Sequence, residues 1–140
     1  MEYSLVKDAV KGCSLFQGLD ESALAHLFWR AEEMTSVRGT VIYTEGTPCD
    51  NSFGLLLRGK LDFSQGGASI GGADQIYVFG EVGFYEKDAK RAATVKVTSD
   101  VASYLRFRIS REELKRDPLK ELDRRLGTEA VRKFVEGPGT

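Results

Sequence analysis

Apolar residues fall into three textures along the chain. Up to residue 36 they recur at helical spacing. Leu5, Val6, Ala9 and Val10 make a short stripe that Gly12 can terminate, and Leu24, Leu27, Phe28 and Ala31 share a face of a second helix. Asp20 is placed to cap that helix, with Leu19 before it and Leu24 after it as a hydrophobic staple. From Val37 the pattern changes to short β-type runs: 41–43, 52–57, 60–64, 76–79, 93–97 and 103–109. Glu45-Gly46-Thr47-Pro48 reads as a turn, Arg58-Gly59 as a tight hairpin, and the glycine-rich stretch 65–72 as a flexible hairpin tip. Helical spacing then returns. Ser110 and Glu113 form a capping box, and Asp117 caps a further helix with Pro118 in its first position. Leu119, Leu122 and Leu126 share a face of it. Gly127 is a C-cap or a hinge, with Thr128 able to cap a last turn through Val131 and Phe134.

This pattern predicts one α+β domain over 1–140. An antiparallel β-barrel of the jelly-roll kind (37–109) is flanked by N-terminal helices (1–36) and C-terminal helices (110–136). A chain of 140 residues can bury a sizeable core without disulfides or a structural metal.

Charge and composition narrow the function. The 20 Lys and Arg against 21 Asp and Glu lack the basic excess that nucleic-acid binding needs. The longest apolar runs are too short to insert into a membrane, and Met1-Glu2-Tyr3-Ser4 carries no secretory n-region, so a cytoplasmic protein is expected. The single histidine, His26, excludes a histidine-rich metal centre, such as that of a cupin-type metalloenzyme. It sits in a helical stretch, where a structural role is expected. Cys13 and Cys49 match no metal or redox spacing and read as free thiols of a reducing compartment. These exclusions favour a binding module over an enzyme.

The chemistry is concentrated in Phe79-Gly80-Glu81-Val82-Gly83-Phe84 and the following Arg91-Ala92-Ala93-Thr94. Gly80 and Gly83 let backbone approach a ligand, and a short helical turn beginning there would point unpaired N–H groups at an anion. Arg91 can fork onto phosphate oxygens, and Ala92 and Ala93 are small enough for their own N–H groups to approach. Glu81 would repel phosphate but suits a sugar hydroxyl. An anion clamp beside a hydroxyl acceptor suggests a ribose phosphate.

This segment strongly resembles the phosphate-binding cassette of cyclic nucleotide-binding domains, here 79–94. The run Arg91-Ala92-Ala93-Thr94-Val95-Lys96-Val97 is most similar to the regulatory subunits of cyclic AMP-dependent protein kinase. Leu15-Phe16-Gln17-Gly18-Leu19 resembles the family's lead-in to its first helix, and residues 38–46 resemble its early barrel strand and turn, so the likeness spans 13–126. The resemblance implies that Glu81 binds the ribose 2′-hydroxyl and Arg91 the exocyclic phosphate. Gly80, Val82, Gly83, Ala92 and Ala93 complete the ligand-binding set. Ala92, where Thr or Ser often favours cyclic GMP, points to cyclic AMP. The C-terminal helices are expected to act as a lid, with Leu126, Val131 or Phe134 capping the base. The sequence departs from the family pattern at Gly83, where alanine is common, at Cys49, where glycine is frequent, and in a cassette loop one residue longer.

The resemblance therefore implies a non-enzymatic cyclic AMP receptor that relays its signal through its C-terminal helices to a kinase or other effector domain, in cis or in trans. The alternative is a docking or dimerisation module that keeps the fold with lost or altered ligand binding, for example cyclic GMP. Arg124-Arg125-Leu126-Gly127 looks superficially like a kinase pseudosubstrate but reads better as a helix face whose Leu126 is buried.

Overall fold

The computed structural model describes residues 7, 11–85 and 88–136, so Leu5, Val6, Ala9 and Val10 lie outside the described residues. In chain order the elements are α1 (Glu21–Trp29), β1 (Ala31–Val37), β2 (Val41–Tyr43), β3 (Ser52–Arg58), β4 (Leu61–Gln65), β5 (Ala68–Ala73) and β6 (Tyr77–Phe79). They continue as α2 (Val82–Tyr85), β7 (Thr94–Val97), β8 (Val101–Arg108), α3 (Arg111–Leu114) and α4 (Lys120–Glu136). The strands form two antiparallel four-stranded sheets, ordered β1-β8-β3-β6 and β2-β7-β4-β5.

The first sheet is covered on both faces. Leu56, Phe79 and Tyr104 pack with Tyr43, Phe63, Val95 and Val97 of the second sheet. On the other face, Phe53, Leu55, Leu105 and Phe107 pack with Phe16, Leu27 and Phe28, and with Leu114, Leu119, Leu122 and Leu126 of the C-terminal segment. Double coverage explains why β3 runs Phe53-Gly54-Leu55-Leu56-Leu57 without polar alternation. The Phe79 ring lies over Gly54, where a Cβ would come 2.2 Å from Phe79 Cζ.

The predicted jelly roll is a sandwich, not a closed barrel, because β3 and β4 belong to different sheets. Arg58-Gly59 is accordingly a corner between sheets and not a hairpin. Gly59 has φ +100°, and a Cβ there would lie 2.6 Å from the Val101 carbonyl oxygen, so the corner needs glycine. The glycine-rich tip is shorter than expected: Gly66 and Gly67, both at positive φ, make a two-residue turn directly into β5.

The predicted helical third ends early. Helix α1 stops at Trp29, and residues 31–37 pair with β8 from Ala31↔Phe107 to Val37↔Val101. Strand pairing along a whole edge outweighs a local helical spacing that only Ala31 extended. Asp20 occupies the N-cap position, although its side chain makes no capping hydrogen bond. At the other end, the Ser110 hydroxyl accepts from the Glu113 N–H at 3.2 Å. The Glu113 carboxylate pairs instead with His26 Nε2 at 2.7 Å and Arg30 at 3.0 Å, giving the lone histidine a structural partner. Helix α4 begins at Lys120, after the turn at Asp117-Pro118, and runs unbroken through Gly127. Thr128 donates to the Arg124 carbonyl at 3.0 Å rather than capping a separate turn.

Candidate functional site

Strand β6 delivers the chain to Gly80, whose φ of +85° turns it into α2. A Cβ on Gly80 would lie 2.6 Å from the Tyr43 ring and 3.2 Å from Arg91 Nη1. Glycine is thus required here by conformation and by close approach together. Gly83 packs α2 against the chain before Arg91, with a Cβ position 3.3 Å from the Lys90 carbonyl oxygen. The backbone of Arg91 is fixed by the turn after β2: its N–H donates to Thr47 O at 2.8 Å, and its carbonyl accepts from Gly46 N at 2.9 Å.

Gly80, Glu81, Val82, Gly83, Arg91, Ala92 and Ala93 all line one cavity of about 360 Å³. That volume falls within the range of pockets that take small organic ligands. Tyr43, Phe63, Ile70, Tyr77 and Val95 supply apolar wall, Gln65 a polar edge, and α4 contributes Lys133 and Phe134. Of the three apolar lid candidates, only Phe134 reaches this cavity. Leu126 is fully buried in the helix-facing core, and Val131 is exposed away from it.

Arg91 is buried, with its guanidinium stacked 3.6 Å from the Tyr43 ring centroid. Nη1 donates to Gly80 O at 2.9 Å; Nη2 donates to Asp50 Oδ1 at 2.5 Å and Ser52 O at 2.8 Å. Burial alone would raise the Asp50 carboxyl, but the Ser52 hydroxyl and the Arg91 guanidinium outweigh it and hold its pKa below the ordinary value. The Tyr43 hydroxyl, 2.9 Å from Ser52 Oγ, is pushed up by burial, with Arg91 opposing part of that shift. Asp50, Ser52 and Tyr43 were not singled out in the sequence, since nothing local marks them as partners of a residue some forty positions on.

Glu81 is fully buried. Lys133 Nζ lies 2.5 Å from its Oε1, donates to Val78 O at 2.5 Å, and sits 4.2 Å from the centroid of the Tyr77 ring. Neither Glu81 oxygen accepts a hydrogen bond beyond that ion pair among the described residues. Sequence reasoning also missed Lys133, because one lysine in the run Arg132-Lys133-Phe134 looks like any other on a charged helix.

The cassette helix is tied to α4 at a second point. Tyr85 donates to Asp123 Oδ1 at 2.6 Å, and its ring packs against Gly127, where a Cβ would meet Cε1 at 3.4 Å. Burial and the Asp123 carboxylate push the Tyr85 pKa well up, while Arg111, 4.5 Å over the ring, opposes them. Among the described residues no cluster of His, Cys, Asp and Glu is arranged to hold a metal ion, and no helix is long and apolar enough to cross a membrane.

No protein-family model matches the chain, and no curated protein matches it by sequence. Solved structures do match. A PKAR CBD2 domain bound to Sp-2Cl-cAMPS is 20% identical with a TM-score of 0.68, over 94% of this chain and 84% of that one. A protein from Geobacter metallireducens described as cyclic nucleotide-binding is 16% identical with a TM-score of 0.76, over 96% and 97%. The regulatory subunit of a cAMP-independent protein kinase A from Trypanosoma cruzi, bound to guanosine, is 19% identical with a TM-score of 0.71. That match covers 94% of this chain and 43% of that one. With its two sheets, its helical turn entered through Gly80 and its C-terminal helix over the same cavity, the chain has the fold of the cyclic nucleotide-binding domains.

Proposed function

We propose that this chain is a cyclic nucleotide receptor module with cyclic AMP as its ligand. The observation that carries the reading is that two buried residues of opposite charge, Glu81 and Arg91, line one cavity of about 360 Å³. In this reading Arg91 holds the cyclic phosphate, supported by Asp50 and Ser52 from behind, and Glu81 accepts from the ribose hydroxyl. The backbone of Gly80, Val82, Gly83, Ala92 and Ala93 closes around sugar and phosphate, and Phe134 covers the base. Ala92 offers no hydroxyl of the kind that favours guanine in this fold family. The structural neighbours include a domain bound to a cyclic AMP analogue, which supports that ligand class.

The chemistry favours binding over turnover. Among the described residues the cavity is lined by no histidine, cysteine or serine that could serve as an activated nucleophile toward a bound phosphodiester. Signal transmission follows from the two ties between cassette and α4. Ligand that engages Glu81 bears on Lys133 in the second half of α4, while the Tyr85–Asp123 hydrogen bond holds the first half of that helix to α2. The lid responds only to the extent that ligand affinity differs between its positions. Such a module acts on an effector, a kinase or another regulated domain, in the same chain or a partner.

Calorimetric titration with cyclic AMP, cyclic GMP and 5′-AMP tests this. One-to-one binding of cyclic AMP in preference to the other two is expected. Equal or tighter binding of cyclic GMP would overturn the ligand assignment. Silence toward all three would replace the receptor with a docking or dimerisation module.

A further inference from the structure

Glu81 is not available to a sugar as it stands. Its side chain is fully buried, both carboxylate oxygens are sealed from solvent, and the Lys133 ammonium sits 2.5 Å from Oε1. Lys133 is itself held, by the Val78 carbonyl and the Tyr77 ring, and its side chain is only 6% exposed. A buried carboxylate requires a counter-charge, and here α4 supplies it. A hydroxyl must come within hydrogen-bonding distance of the carboxylate to be recognised, and the ammonium and the sealed surroundings prevent that.

We infer that Lys133 is a specificity-determining residue that competes with the ligand's ribose hydroxyl for Glu81. The inference rests on the receptor reading above. A nucleotide that uses Glu81 must first draw Lys133 off it, exchanging a charge-assisted contact for one with a neutral hydroxyl. A nucleotide lacking that hydroxyl leaves the Lys133–Glu81 pair in place and gives up little. Lys133 therefore blunts the preference for ribose over deoxyribose, and couples recognition of the hydroxyl to release of the last turns of α4.

The test titrates the intact chain and Lys133→Met with cyclic AMP and with 2′-deoxy cyclic AMP. In the wild type the two affinities are expected to lie within about tenfold of each other. In Lys133→Met the ratio should rise by about tenfold or more, since the ribose hydroxyl no longer has to displace an ammonium to reach Glu81. An unchanged ratio in a wild type that binds cyclic AMP overturns the role of Lys133 and leaves the receptor reading standing. Failure of the wild type to bind either nucleotide overturns both. Amine-selective acetylation of the wild-type chain, read by mass spectrometry at Lys133, gives a second measurement that does not depend on the variant folding. Saturating cyclic AMP should raise labelling of Lys133, while 2′-deoxy cyclic AMP should leave it protected. Continued protection under cyclic AMP overturns the proposal.

Discussion

Tyr85 and Asp123 offer the sharpest test of how the cassette is joined to the C-terminal helix. Removing the hydroxyl with Tyr85→Phe leaves the ring against Gly127 and deletes the 2.6 Å hydrogen bond to the Asp123 carboxylate. A hydrogen bond to a charged acceptor contributes about 1.5–3 kcal/mol when enclosed; this one is partly exposed, so about 1–2 kcal/mol is expected. For a chain of this size that corresponds to a fall of about 3–6 °C in Tm. Urea unfolding of the wild type, Tyr85→Phe, Asp123→Asn and the double variant should give a coupling of about 1 kcal/mol. The pH dependence adds an independent arm. Burial and Asp123 raise the folded pKa of Tyr85, so its contribution is complete below the unfolded tyrosine value of about 10. That contribution is lost as pH rises through the folded value. Tyr85→Phe should therefore flatten the alkaline limb of the stability curve, with Tyr43 still titrating in both proteins. A coupling below about 0.3 kcal/mol, with an unchanged alkaline limb, would refute the tie.

Three further outcomes are expected. Arg91→Ala should abolish most cyclic AMP binding in calorimetry. It should also cost about 1–3 kcal/mol in urea unfolding, because it strips Asp50 and Ser52 of their buried partner; retained affinity would place the anion site elsewhere. Ala92→Thr should shift the ratio of cyclic GMP to cyclic AMP affinity toward cyclic GMP by several-fold, and an unmoved ratio would break the selectivity argument. Gly54→Ala, whose Cβ would come 2.2 Å from Phe79 Cζ, should lower stability by about 1–3 kcal/mol. Phe79→Leu in that background should recover part of the loss in the urea midpoint.

The residues that line the cavity from 80 to 93 were legible because they are local in sequence: two glycines, a carboxylate, and an arginine shortly before a strand. Their supports were not. Asp50 and Ser52 reach Arg91 from β3 and the loop before it, and Lys133 reaches Glu81 from a helix more than fifty positions on. No periodicity encodes a contact of that kind. The fold followed a similar division. Strand runs and the Ser110 cap were readable from composition and spacing, whereas β1 was hidden because residues 31–37 acquire their strand character from pairing with β8. The choice between barrel and sandwich rested on Gly59, and a glycine between two strands marks a hairpin and a sheet-switching corner equally well.

The division of α4 between core and cavity sets the scale of any output. Its first half is anchored: Leu122 and Leu126 are fully buried in the same cluster as Phe53 and Phe107. Beyond Leu126 the inward contacts among the described residues are those of the small residues Gly127 and Ala130, then those of Lys133 with Glu81 and Val78. Displacing the first half would break open the hydrophobic core, while freeing the second half breaks the polar contacts of Lys133 with Glu81 and Val78 and little apolar packing. The helix behaves as a lever clamped near its middle, with a free arm of residues 127–136. At ~1.5 Å per residue that arm is about 15 Å long, so a tilt of roughly 20° swings its tip by about 5 Å. A partner reading this motion has to grip the far end of the arm, where the displacement is largest.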